Sequence, residues 1–288
     1  MSDIEENIQP AEDNAPQQAT KASKFTTRAV VGVGYAVLVL ACLLMGRWAT
    51  TALLCVFAWQ CCNEFYKMMR MAGRMPNEFI GLAAAVAFPI AANISYLYSG
   101  VVAFLLAIAT GVWYVLTPRA NISDVALTVF GPMYTSLLFT SILKFRAVDP
   151  GIMGGILTFA VMASIWVNDS FAYIFGSRFG RTKLAPKISP NKSWEGFFGG
   201  MLGSVLVWVL ISLLGLMPVP VPMAILTGIV LGIFGVIGDL FESRIKRSVG
   251  VKDSGNIMPG HGGLLDRHDS MLFGVMAAAF VLKVGGLL

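Results

Sequence analysis

The sequence predicts an all-α, polytopic membrane protein, and three observations carry that expectation. Apolar residues make up 56% of the 288, only 13% are charged, and mean hydropathy is +0.73, which leaves too little polar surface to cover a water-soluble globule. Apolar runs close to the ~20 residues that a helix needs to cross a ~30 Å hydrocarbon core recur along the chain. The 21 Lys and Arg residues are distributed very unevenly between those runs.

About nine runs can be read in order: residues 29–46, 48–66, 79–98, 101–117, 125–143, 152–175, 197–217, 221–241 and 271–288, the last of them short. If they alternate from a cytoplasmic N-terminus, seventeen of the 21 cations lie on the cytoplasmic side. Arg47, Lys144, Arg146 and Lys283 are left on the other, as the positive-inside rule requires. This places the protein across a membrane many times over, with a bacterial inner membrane as the expected location.

The first twenty residues hold five acids and no Lys or Arg, so residues 1–24 are expected to form a disordered acidic tail. They do not open with the basic start of a secretory signal, and no cleaved targeting peptide is expected. Cys42, Cys55, Cys61 and Cys62 sit within the first two runs, away from either His, where they are expected as small apolar side chains. Without a repeat or a flexible linker, residues 25–150 (helices one to five) and 151–288 (helices six to nine with two long loops) are expected to form one structural domain.

Those two loops differ from the rest of the chain. The first, residues 176–196, carries Arg178, Arg181, Lys183, Lys187 and Lys192 and follows Asp169 near the end of the sixth run. The second, residues 243–269, mixes five cations with Asp253, Asp266, Asp269, His261 and five glycines, just after Asp239 and Glu242 close the eighth run. Asp239, Glu242 and Ser243 are spaced to share one helical face, as are Asp169 and Tyr173. The positive-inside rule accounts for the sign of the cations, but not for the glycines and acids among them. Carboxylates with Lys, Arg and glycine amides suit transfer at phosphorus: Mg²⁺ is held by one or two carboxylates plus substrate phosphates, and the cations neutralise the remaining oxygens. His261, followed by Gly262 and Gly263, could donate a hydrogen bond to a phosphate or move a proton.

The second loop resembles the motif of the phosphatidate cytidylyltransferases, also called CDP-diacylglycerol synthases. Ser243, Lys246-Arg247, Lys252-Asp253, Gly255, Pro259, His261-Gly262-Gly263, Asp266-Arg267 and Asp269 stand at matching spacing. The stretch from Asp169 to Gly200, with Lys183, Ser189-Pro190, Lys192-Ser193 and Glu195-Gly196, resembles the second conserved stretch of that family. The resemblance covers roughly the last 120 residues; the earlier runs resemble the family only in being apolar. Met258 and His268 depart from it, and His268 between Arg267 and Asp269 is expected to place a titratable group beside the metal site.

The resemblance implies a Mg²⁺-dependent reaction of CTP with phosphatidic acid that yields CDP-diacylglycerol and pyrophosphate. By similarity, Asp239, Asp266 and Asp269 are metal ligands, and Lys252, His261 and Arg267 join them in the catalytic set. Asp169, Lys183, Ser189, Lys192, Glu195, Lys246, Arg247, Asp253, Gly262 and Gly263 are expected around the substrate phosphates. The expected partners are CTP, phosphatidic acid, membrane lipids and a second copy in a homodimer, with no nucleic acid. A CTP-dependent polyprenol kinase is the nearest alternative enzyme. A transporter with intramembrane acids is the alternative outside enzymes, but it would favour interrupted helices and charges near the midplane.

Overall fold

The computed structural model describes residues 15–258 and 262–288. Among these, nine helical rods follow the nine apolar runs: α1 (Ala15–Leu44), α2 (Arg47–Met71), α3 (Glu78–Ile94), α4 (Tyr96–Leu116), a broken rod of α5 (Ile122–Pro132) and α6 (Thr140–Arg146), α7 (Ile152–Phe179), α8 (Trp194–Leu213), α9 (Val221–Ser248) and α10 (Asp269–Val284). Five of them, α4, the α5–α6 rod, α7, α8 and α9, are long and apolar enough to cross a membrane by length and composition.

Of the acidic tail expected over residues 1–24, residues 1–14 lie outside the described residues, and α1 is described from Ala15. Two details are added to the all-α expectation. The fold is not purely helical: β1 (Lys183–Ala185) and β2 (Ser189–Ser193) pair antiparallel between α7 and α8. Pro186 at the tip, and a stretch too polar to enter hydrocarbon, leave this segment to pair with itself. The fifth run is not one regular helix, since residues Met133–Leu137 form a π turn between α5 and α6.

The π turn follows from proline chemistry. Pro132 has no N–H to give the carbonyl of Thr128, four residues back, and Tyr66 of α2 donates its hydroxyl to that oxygen at 2.8 Å. Pro89 in α3 likewise frees the carbonyl of Ala85, which accepts from Ser136 Oγ in the π turn at 2.6 Å. A backbone carbonyl cannot be left unpaired in an apolar interior. The two side-chain bonds therefore hold α2, α3 and the π turn together. α7, α8, α9 and α10 pack in sequence, and their contacts are close because small residues line the seams. At Gly238 of α9 a side-chain carbon would stand 2.4 Å from the carbonyl oxygen of Asp269, so only glycine lets α9 and α10 approach there.

Candidate active site

The site lies where α7, α9 and α10 reach the two long loops. The first loop is built from its ends. Ser193 caps α8 by accepting from Gly196 N at 3.2 Å. Glu195 in the first turn accepts from Thr182 N, and Trp194 N donates to Thr182 O at 3.0 Å. The hairpin is thus fastened to the start of α8, and Lys192 reaches across to α9, where its ammonium lies 2.5 Å from Asp239 Oδ2. Ser243, one turn along, donates to Asp239 Oδ1 at 3.1 Å. Two segments almost fifty residues apart therefore meet at one carboxylate.

Around Asp239 the fold gathers more acids than cations. Asp269 is buried at the first position of α10, with Oδ1 accepting from Ser270 N at 2.6 Å. It lies within electrostatic range of Asp239, Glu242 and Asp169. Asp169 is exposed on α7 and senses Asp239, Lys192 and Arg267. Glu242 is fully buried; Lys246 satisfies its Oε2 at 2.6 Å, while among the described residues no hydrogen bond reaches its buried Oε1.

Lys246 joins this cluster to the second loop. The same ammonium lies 2.6 Å from Asp266 Oδ1, and Asp266 also accepts from Ser254 N and from Gly263 N at 2.9 and 2.7 Å. Burial would raise the Asp266 carboxyl, but Lys246 and the two amides outweigh it and hold the group below its ordinary range. Gly262 adopts a left-handed φ of +83° beside Asp266 Oδ2, a conformation that suits glycine. Its carbonyl accepts from Met258 N at 3.0 Å, which closes the loop on itself.

The structure brings together Asp169, Lys192, Asp239 and Asp269, with Arg267 in range of Asp169, and links them through Glu242 and Lys246 to Asp266. Lys183 and Ser189 stand on the hairpin, and Lys252 and Asp253 are exposed on the second loop; among the described residues no bond ties these four to the acids. Arg247 donates to Val251 O at 2.9 Å and finishes α9. His261 lies outside the described residues.

His268 corrects an expectation. It does not face the acids: the short 3-10 turn Leu265–Arg267 rolls it inward, where it is fully buried. Leu264 O accepts from Nδ1 at 2.8 Å, and Tyr35 of α1 donates to Nε2 at 2.7 Å. Phe57 and Phe139 flank the ring at centroid distances of 4.7 and 5.1 Å. Burial pushes its pKa down to about 4, so at neutral pH it is a neutral core residue.

The fit to Mg²⁺ follows from the donors. Among the described residues no three His, Cys, Asp or Glu side chains are close enough to hold an ion alone. Mg²⁺ needs only one or two carboxylates when phosphates complete its shell. Asp239 and Asp269, brought together by the missing side chain at Gly238, fit that arrangement. Both oxygens of Asp266 already accept bonds, which suits it to holding the loop. The sequence reading missed Glu64 of α2, a carboxylate that lies buried against this loop. The available signal was an ionisable residue inside an apolar run, with Gln60 one turn before it.

Known proteins resemble the chain over half of its length or more. A phosphatidate cytidylyltransferase of Bacillus subtilis is 38% identical over 161 residues, 56% of this chain and 59% of that protein. One from Staphylococcus epidermidis is 42% identical over 155 residues, 54% and 58% respectively. The chain thus matches about three-fifths of the length of these bacterial relatives. The chloroplastic phosphatidate cytidylyltransferase 5 of Arabidopsis thaliana is 31% identical over 318 aligned positions, covering 96% of this chain and 78% of the plant protein. The profile of the Cytidylyltransferase family matches residues 26–284, nearly the whole chain, and the protein belongs to that family.

Proposed function

We propose that the protein is a phosphatidate cytidylyltransferase that transfers CMP from CTP to phosphatidic acid, giving CDP-diacylglycerol and pyrophosphate. The observation that carries this reading is the 2.5 Å contact of Lys192 with Asp239, which joins the two loops into one site rich in both acids and cations. The relatives described above are named for this activity. In this reading nine helices cross a bacterial inner membrane from a cytoplasmic N-terminus, and both loops face the cytoplasm, where CTP is dissolved and the lipid headgroup lies.

Asp239 and Asp269 would hold Mg²⁺, whose chemistry at this place would be neutralisation of the triphosphate charge. Lys192 moves from Asp239 to a phosphate oxygen as the nucleotide arrives, and Lys252 and Arg267 add charge from the second loop. Asp169 sets the spacing of Lys192 and Arg267 on the α7 side. Lys246, held between Glu242 and Asp266, keeps the loop on α9. A phosphate oxygen of the lipid attacks the α-phosphorus, the bond to the β-phosphate oxygen breaks, and pyrophosphate leaves with that electron pair. The chain's contribution is orientation and charge rather than a protein nucleophile.

Purified protein in detergent, given labelled CTP, Mg²⁺ and phosphatidic acid, is expected to form a CDP-lipid and one pyrophosphate per turnover. A phosphorylated lipid with released CDP would instead identify a kinase, and no CTP-dependent product would end the reading. Single cysteines at positions 187 and 253 should be labelled from the same side of sealed vesicles; labelling from opposite sides would end the topology.

A further inference from the structure

We infer that Glu64 of α2 is a positioning residue that keeps the second loop organised for the nucleotide before it binds; the inference rests on the function proposed above. Glu64 is 1% exposed and sits in the half of the chain that holds neither long loop. Its carboxylate is filled with donors. Ser254 Oγ donates to Oε2 at 2.9 Å, Leu264 N to Oε1 at 3.0 Å and Leu265 N to Oε2 at 2.9 Å. Gln60, one turn earlier on α2, donates to Oε1 at 2.8 Å.

Three of these four bonds reach the second loop, at Ser254 and at Leu264–Leu265, across 190 or more residues of sequence. The fit is close on the loop side too. A side-chain carbon at Gly263 would lie 2.4 Å from Glu64 Oε2, and one at Gly255 would lie 2.9 Å from Oε1. The loop's glycines thus leave room for this carboxylate as well as for a ligand. No Lys or Arg pairs with Glu64 among the described residues; dipoles alone satisfy the buried charge, three of them from the segment that Asp266 also clasps. Charge-assisted bonds of this kind are the strong ones, so the two carboxylates Glu64 and Asp266 together hold the loop at Ser254 and at residues 263–265. The loop carries Lys252, placed above with the charge that meets the CTP phosphates, so its order before binding bears on CTP.

Glu64→Gln keeps the size but turns an amide N–H₂ toward donors, and Ser254→Ala removes one bond without touching the helix. In the purified, monodisperse protein, Glu64→Gln is expected to speed amide hydrogen exchange over residues 252–258 and 262–266 while α9 and α10 remain protected. Its KM for CTP should rise by about fivefold or more, because loop ordering then opposes binding, while KM for phosphatidic acid stays within about twofold. Ser254→Ala should show the same pattern more weakly, and the double variant should fall well short of the sum, as coupled partners do. Unchanged exchange in the loop, or a faster-exchanging loop with an unchanged CTP KM, overturns the inference; so does a rise in both KM values together. If the unmodified protein makes no CDP-lipid, the functional reading fails and the exchange arm alone decides whether Glu64 orders the loop.

Discussion

Tyr35 Oη and His268 Nε2 stand 2.7 Å apart inside an aromatic cage, tying α1 to the residue just before α10. The residues on either side of His268 point differently: Arg267 is exposed toward Asp169, and Asp269 joins the acids. A pair that looks like part of the site is therefore part of its support.

That pair has a pH signature. The folded pKa of His268 is about 4, below the unfolded value of about 6.5, so the unfolded chain takes up this proton first as pH falls. The neutral ring's contribution is fully present above about pH 6.5 and declines as pH drops toward about 4. Thermal unfolding in detergent should show this loss between those limits, and His268→Ile should flatten it while activity at neutral pH survives. Complete loss of turnover in His268→Ile would show that the ring has a chemical role.

Replacing Asp239 with Asn keeps the shape and removes both the partner of Lys192 and a proposed metal ligand. Turnover should fall by roughly two orders of magnitude or more, the scale of losing one electrostatic stabiliser, with insertion and helix content unchanged. CDP-lipid formation at saturating CTP and Mg²⁺ is the measurement, and full activity would remove Asp239 from the assignment.

Gly238→Ala tests the approach of α9 and α10. The added carbon would meet Asp269 O at 2.4 Å, so the helices must separate, at a cost of about 1–3 kcal/mol. Activity should be lost while the protein still folds, because Asp239 and Asp269 no longer share one ligand; paired circular dichroism and turnover assays would show it.

The carbonyl freed by Pro132 gives a stability test away from the site. Tyr66→Phe leaves Thr128 O unpaired in an apolar interior and should lower stability by about 1–3 kcal/mol. Adding Pro132→Ala restores a backbone donor, so the double variant should recover part of the loss. Melting temperatures of the three proteins in one detergent decide it.

Lys252→Ala should weaken nucleotide use, raising KM for CTP while KM for phosphatidic acid holds. The side chain is exposed and, among the described residues, bonded to none of the acids, so the fold should not change. An unaltered CTP dependence would take Lys252 out of the phosphate set.

What the sequence by itself determined is what short-range chemistry expresses: the apolar runs that become helices, the positions of Pro and Gly, and two loops that mix cations, acids and glycines. Asp239, Asp269, Lys192 and Asp266 were legible because they stand in those loops or at the mouths of the helices feeding them. Only the tertiary structure decided which of them touch. Lys192 meets Asp239 because the hairpin folds back over α9, Arg247 turns to its own helix end, and Asp266 becomes a clasp. Glu64 and Tyr35 were hidden for the same reason, since their partners lie about 190 and 230 residues away. Local pattern records whether a side chain prefers lipid or water, but a buried carboxylate or imidazole is tolerated only by donors that another part of the chain delivers, and those appear only once the helices have packed.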